Sequence, residues 1–218
     1  MRFLLILIPD NVLVLQFWTD HKFITQMKRL VFLCIVLSAF GCNQEVQLSQ
    51  ETEEALSTLP ANAEKTPYPG NSELVKVTVR FPDGKLQNQG DFLNGKKDGT
   101  WTEYHSNGLI KSMTSYVQGK KQGNYIEIDE RGELQLRAYY HNDLKDGDYV
   151  VYNQQRIKEQ RSYNQGQLQG VVKIYYDNGS IMEESPYTNG KRDGLSKWYD
   201  QQGNITIEYE YDQGELVE

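Results

Sequence analysis

Cysteine is scarce in this chain of 218 residues, and both copies, Cys34 and Cys42, sit near its start. Everything after Cys42 therefore forms no disulfide and no thiolate metal site. Histidine is nearly as rare. His21 lies in the N-terminal segment, and His105 and His141 lack paired ligand spacing. No His-Glu-x-x-His, Gly-x-Ser-x-Gly or P-loop sequence occurs. Acidic residues are scattered through turns and strand positions, so neither catalysis nor a cofactor or metal is expected. Basic residues are outnumbered, 23 against 30, for a net charge of −7. That balance excludes a nucleic-acid binder, which needs a basic face. The apolar runs are too short to span a bilayer comfortably.

What the chain has is repetition. Glycines recur at Gly99, Gly123, Gly147, Gly170 and Gly194, at intervals of 24, 24, 23 and 24 residues. A second series marks the middle of each unit: Gly84, Gly108, Gly132, Gly179 and Gly203. Two residues after each comes an aliphatic side chain, and eight after each an aromatic: Phe92, Tyr116, Tyr140, Tyr187 and Tyr211. A further turn glycine follows at Gly95, Gly119, Gly190 and Gly214, with Asp143 in that place once. The unit of 23 residues has Asn153-Gln154-Gln155-Arg156 in place of the mid-unit glycine turn, yet Ile157 and Tyr163 return to register. A deletion confined to a loop is what hairpin repeats tolerate.

Each half-unit reads as a strand. Ile205 to Tyr211 and Val75 to Phe81 alternate apolar and polar residues, the period of a sheet with one wet face. Asn-Gly and Asp-Gly between such runs mark hairpin turns. The other half-unit, as in Thr100-Trp101-Thr102-Glu103-Tyr104, alternates poorly, and a bulge or strong twist is expected there. The fold class that follows is all-β: a single elongated antiparallel meander of about six hairpins over residues 74–218. A propeller would need about 40 residues per blade.

The segments Gly99-Thr-Trp-Thr-Glu-Tyr-His-Ser-Asn-Gly108 and Tyr187-Thr-Asn-Gly-Lys-Arg-Asp-Gly194 resemble the bacterial variant of the MORN repeat. Several proteins of that kind are grouped as YwqK-type antitoxins of toxin–antitoxin systems. The resemblance therefore implies a toxin as one possible class of partner. Val172 and Ser196 depart from the aromatic seen at Trp101.

The N-terminus carries a separate signal. Met27-Lys28-Arg29, the apolar run Leu30 to Leu37 and the small residues before Cys42 form a secretory signal in order. The end of that run resembles a bacterial lipoprotein signal, with Ala39 and Gly41 fitting and Phe40 departing. The resemblance implies cleavage before Cys42 and acylation of that residue. Residues 27–41 are then the signal peptide and residues 1–26 an upstream extension from a mis-assigned start. Without residues 1–41, which hold four basic and two acidic residues, the chain keeps 19 basic and 28 acidic. Asn43 is not the aspartate tied to inner-membrane retention in enteric bacteria, so by analogy an outer-membrane location is favoured.

Asn43 to Ser72 holds five Glu, one Lys, Pro60, Pro67 and Pro69. That composition cannot bury enough surface to order itself. Residues 42–73 are expected to be an acylated cysteine and a disordered tether, with a frayed helix over Glu45 to Leu59 as the alternative.

Two sets of candidate site residues stand out. Lys96, Lys97, Lys120, Lys121, Lys145, Lys191 and Arg192 all fall at the second turn of their units. A row of cations could meet phospholipid headgroups or an acidic partner. Solvated turns also carry lysine for solubility alone, and that is the preferred reading. The second set is aromatic: Trp101, Tyr104, Tyr125, Tyr149, Tyr152, Tyr175, Trp198 and Tyr199. Such rings could stack on sugars or enclose a quaternary ammonium. The preferred reading is that they fill a thin core. The function expected is a non-enzymatic, envelope-anchored scaffold or protein-binding module whose membrane contact is Cys42. An antitoxin or immunity role and a glycan- or choline-type cell-wall binder are the alternatives.

Overall fold

A computed structural model of the protein describes residues 5–6, 14–15 and 46–217. The chain divides into two units, residues 1–45 and residues 46–218. In the first, β1 (Leu5–Ile6) and β2 (Val14–Leu15) pair antiparallel. Residues 27–41 and Cys42, where the signal and its acylation are expected, lie outside the described residues.

The second unit contains one open antiparallel sheet of 16 strands. It opens with β3 (Ala63–Pro67), β4 (Leu74–Arg80), β5 (Leu86–Leu93), β6 (Lys96–Tyr104), β7 (Ile110–Val117) and β8 (Lys120–Ile128). It continues with β9 (Leu134–His141), β10 (Leu144–Asn153), β11 (Arg156–Asn164), β12 (Gln167–Leu168), β13 (Gly170–Tyr175) and β14 (Ile181–Thr188). The last strands are β15 (Lys191–Arg192), β16 (Gly194–Tyr199), β17 (Ile205–Asp212) and β18 (Glu215–Leu216). Spatial order follows sequence order throughout, the meander that the repeats predict. The short β12 and β15 pair with β11 and β14 as leading pieces of the strands that β13 and β16 complete.

Two kinds of turn alternate. After each ring comes a two-residue turn with both residues left-handed, as at Asn94 (φ 50°) and Gly95 (φ 69°). This is the geometry whose twist matches the flanking strands. Mid-unit turns are one residue longer. The Gly108 N–H donates to the His105 carbonyl at 2.9 Å and the His105 N–H to the Leu109 carbonyl at 2.8 Å. The 23-residue unit converts the long type into the short one: Asn153 pairs with Arg156, and Gln154 and Gln155 take φ of 48° and 63°. A left-handed residue with a Cβ costs about 1–2 kcal/mol. Gln155→Gly is therefore expected to raise stability by about 1 kcal/mol, read as a higher urea midpoint at unchanged slope. An unchanged midpoint would contradict this account of the turn.

The irregular half-unit is a bulge. On β5 the partner jumps from Thr102 opposite Gln89 to Asp98 opposite Asp91. The extra residues centre on Gly99, whose φ is 69°. The same break separates Lys145 from Tyr149 on β10. It lays Trp101 across Gly90, where an added Cβ would stand 2.3 Å from the indole.

Residues 46–73, expected as a disordered tether with a helix over Glu45 to Leu59 as the alternative, are instead folded, and the helix lies within those bounds. Helix α1 (Gln50–Ser57) is capped by Ser49, whose hydroxyl accepts from the Thr52 N–H at 3.3 Å. Glu73 accepts from Ser49 Oγ at 2.7 Å and from Thr52 Oγ1 at 3.2 Å. Leu56 is 2% exposed and packs with Val75, Val77, Val79, Phe92 and Trp101. β3 pairs along β4 from Ala63 opposite Val79 to Pro67 opposite Val75, which covers the outer edge of β4. Average composition hid Leu48, Leu56 and Leu59, which lie in or against this cluster. Burying Leu56 contributes about 1.5–3 kcal/mol, and the partly buried Leu48 and Leu59 add to it, which holds a short polar segment in place.

Candidate functional site: the ring face

Residues paired across antiparallel strands share a face. One line of pairs runs Trp101, Thr114, Tyr125, Ala138, Tyr149, Arg161. Large rings from the first strand of each unit thus alternate with smaller residues from the second. A parallel line holds Tyr116, Tyr140, Tyr163, Tyr187 and Tyr211, each opposite a unit-opening glycine. Phe92 meets Trp101 edge to face at 5.4 Å, Tyr125 meets Tyr140 at 6.1 Å, and Tyr149 meets Tyr163 at 5.8 Å.

Cations sit between these lines. Lys97 Nζ lies 4.4 Å from the Trp101 ring and 5.2 Å from Tyr116. Lys121 stands 5.6 Å from Tyr125 and 5.1 Å from Tyr140, and Lys145 4.2 Å from Tyr149 and 5.0 Å from Tyr163. Arg192 lies within 5.9 Å of Tyr187, Trp198 and Tyr211. Each adjacent pair of basic residues therefore splits. Lys97, Lys121 and Arg192 belong to the ring face, while Lys96, Lys120 and Lys191 are exposed at the turn edge. Lys145 joins the ring face with Leu144 at the edge. The cage that a quaternary ammonium would need is occupied by the chain's own cations in these units.

Where the first-strand ring is missing, an ion pair takes its place. Val172 and Ser196 stand at the positions of Trp101, Tyr125 and Tyr149. Beside Val172, Arg161 pairs with Glu159 and reaches the Tyr163 hydroxyl at 3.3 Å. Near Ser196, Arg192 Nη2 contacts Glu183 at 2.6 Å, and Ser185 Oγ donates to the same carboxylate at 2.6 Å. Ser185 and Ser196 are fully buried, and Ser196 Oγ has no protein partner.

The remaining aromatic candidates include residues on both faces. Trp198 lies on the ring face, edge to face with Tyr209 at 6.0 Å. Tyr104 lies on the reverse face and accepts from Gln89 Nε2 at 2.8 Å, a brace between units. Tyr199 repeats that brace by donating to Glu184 at 2.9 Å. Backbone bonds also tie unit to unit: the N–H groups of Gly119, Gly166 and Gly214 donate to the carbonyls of Lys97, Lys145 and Arg192 at 2.7–2.8 Å. Residues that the sequence reading passed over are Gly90, Arg161, Glu183 and Ser185. Gly90 was findable, because it belongs to neither glycine series.

Burial shifts the titrations of this face. It pushes the Tyr125 phenol up to about 12, helped by Glu127, and raises Tyr116, Tyr140 and Tyr149 as well. Burial lowers Lys97, with Lys121 adding repulsion. A tyrosine raised in the folded state holds its proton longer than in the unfolded chain, so stability falls as pH rises through the unfolded value. Denaturant midpoints are therefore expected to drop between pH 10 and about 12, with tyrosinate absorbance lagging in the folded protein. Free-tyrosine titration of all rings in the folded chain would contradict the packing.

A single-layer sheet with evenly spaced rings and cations along one face offers many similar contacts, the property of a repeat-based binding module. Residues 97–118, 168–189 and 192–213 each match the MORN repeat variant family. Residues 119–167 lie between those matches, and their strands pair in the same order. No curated protein matches the chain.

Proposed function

We propose that this repeat sheet is a non-enzymatic protein-binding scaffold of the bacterial cell envelope, tethered by acylated Cys42, and that the ring face holds an acidic helical segment of its partner. The observation that carries the reading is α1. An acidic helix of this chain already lies on the first hairpin of that face, with Leu56 among the valines, and at the bordering turn edge its Glu51 Oε1 stands 4.0 Å from Lys96 Nζ. Beyond α1 the same face continues as Lys97, Lys121, Lys145 and Arg192 between rings. Cations held by aromatic neighbours lose less freedom on meeting a carboxylate than free lysines do. The antitoxin and cell-wall readings have no comparable observation.

The test is affinity capture from envelope extract followed by cross-linking. The wild-type chain is expected to retain a stoichiometric partner cross-linked through an acidic helix, and Lys121→Glu with Lys145→Glu is expected to lose it. Equal capture by both forms, or cross-links confined to the reverse face, would refute the ring-face reading. Mass spectrometry showing an unacylated Cys42 would refute the anchor.

A further inference from the structure

We propose that a notch on the reverse face, between β9 and β10, receives an arginine side chain of another protein. Opposite Tyr139, the bulge of β10 sets Asp146, Gly147 and Asp148 between the pairs Lys145–Tyr140 and Tyr149–Ala138. Together with Asn124 and Arg137 these residues line an open groove of about 520 Å³. Tyr139 is 43% exposed there. At the corresponding place the units before and after hold Asp91, Ser115, Ser162 and Pro186. The notch therefore differs from its neighbours by a ring.

Asp146 departs from its counterparts in a second way. The residue before each unit-opening glycine otherwise braces the next unit. Asp98 Oδ1 accepts from the Gln118 N–H at 3.2 Å, Gln122 Oε1 from the Asn142 N–H at 3.1 Å and Gln169 Oε1 from the Asn189 N–H at 3.2 Å. Asp193 accepts from Gln213 Nε2 at 3.2 Å. Among the described residues, Asp146 makes no such bond and joins no ion pair, because Arg137 Nη2 turns to Asp148 at 3.7 Å. Two carboxylates against one guanidinium leave the notch net negative.

The sheet itself shows what such a set of groups holds. On the ring face Arg161 stands 5.9 Å from the Tyr149 ring and pairs with Glu159. Arg192 stands 5.4 Å from the Trp198 ring and pairs with Glu183. Each is a guanidinium between a ring and a carboxylate. The Tyr139 notch repeats the ring and the carboxylate on the other face, and among the described residues none of the chain's cations lies over that ring. A guanidinium entering from solvent can stack on Tyr139 and place two N–H groups on Asp146. The Asn124 amide oxygen offers a further acceptor at the rim. An ammonium has no planar fork and stacks less well, so the notch selects arginine over lysine.

The probe is the tripeptide Gly-Arg-Gly with both ends blocked, titrated into the isotope-labelled full chain and read from backbone amide shifts by NMR. Saturable movement of the Tyr139, Gly147 and Asp148 amides is expected, with half-saturation at about 1–10 mM. Blocked Gly-Lys-Gly should bind about tenfold more weakly. Tyr139→Ser installs the residue that Ser115 and Ser162 already supply at this place, so the sheet keeps its fold, and binding should fall about tenfold. Asp146→Asn should weaken it by a similar factor. Absence of saturation by about 50 mM, equal binding of the lysine peptide, or indifference to both substitutions would overturn the proposal. So would a dimer by sedimentation whose formation moves the same amides without peptide, because it assigns the notch to a second copy. The ring-face reading is scored on Lys121 and Lys145 and stands or falls separately.

Discussion

Trp101→Ala is expected to cost about 3–5 kcal/mol, while Trp198→Ala costs about 1–2 kcal/mol. The two indoles look alike in sequence and differ in surroundings. Trp101 is buried, donates its Nε1–H to the Asp91 carbonyl at 3.0 Å and packs in the cluster that holds α1. Its edge-to-face contact with Phe92 adds about 0.5–1.5 kcal/mol. Removing it leaves a void above Gly90 and loosens the helix that closes the sheet. Trp198 is half-exposed and backed by Tyr209 alone among rings it meets edge to face. Urea unfolding of both variants decides the matter, and equal losses would show that the cluster around α1 does not anchor the fold.

Arg192→Met is expected to destabilise by about 3–5 kcal/mol, because it leaves the Glu183 carboxylate buried without its cation. Side-chain exposures of 30% for Arg192 and 10% for Glu183 place the true value toward the lower end of that range. The variant with Glu183→Leu added should recover most of the loss, since replacing both partners removes the stranded charge. A double-mutant cycle reads this directly. Additive losses would mean that Arg192 acts only by covering Ser185 and Ser196. The pair is the chain's substitute for an aromatic ring, so the same cycle tests how a repeat tolerates losing one.

Much of the sheet was legible because its signals are local. Positive-φ turn residues and a two-residue period depend on neighbours in sequence, and spacing by 24 fixed which strands meet. The expected bulge followed from aromatics three apart in Trp101 to Tyr104. The register break at Gly99 is its physical form. What escaped depends on contacts across units. Nothing local distinguishes Lys96 from Lys97, yet one lies at the turn edge and the other between Trp101 and Tyr116. Nothing in Ser49 to Leu59 says that Val75, Val77 and Val79 need a cover, so the segment read as a tether. Arg192 reads as a turn charge, and Arg161 goes unremarked, until Val172 and Ser196 are seen to leave room for them.

Acetylation footprinting of the chain with and without its captured partner tests the central claim most directly. Lys97, Lys121 and Lys145 lie on the ring face, and Lys173 and Lys197 on the reverse. The account predicts that the partner shields the first three and leaves the last two reactive. Shielding of Lys173 and Lys197 with Lys121 and Lys145 still reactive would place the partner on the wrong side of the sheet and contradict it.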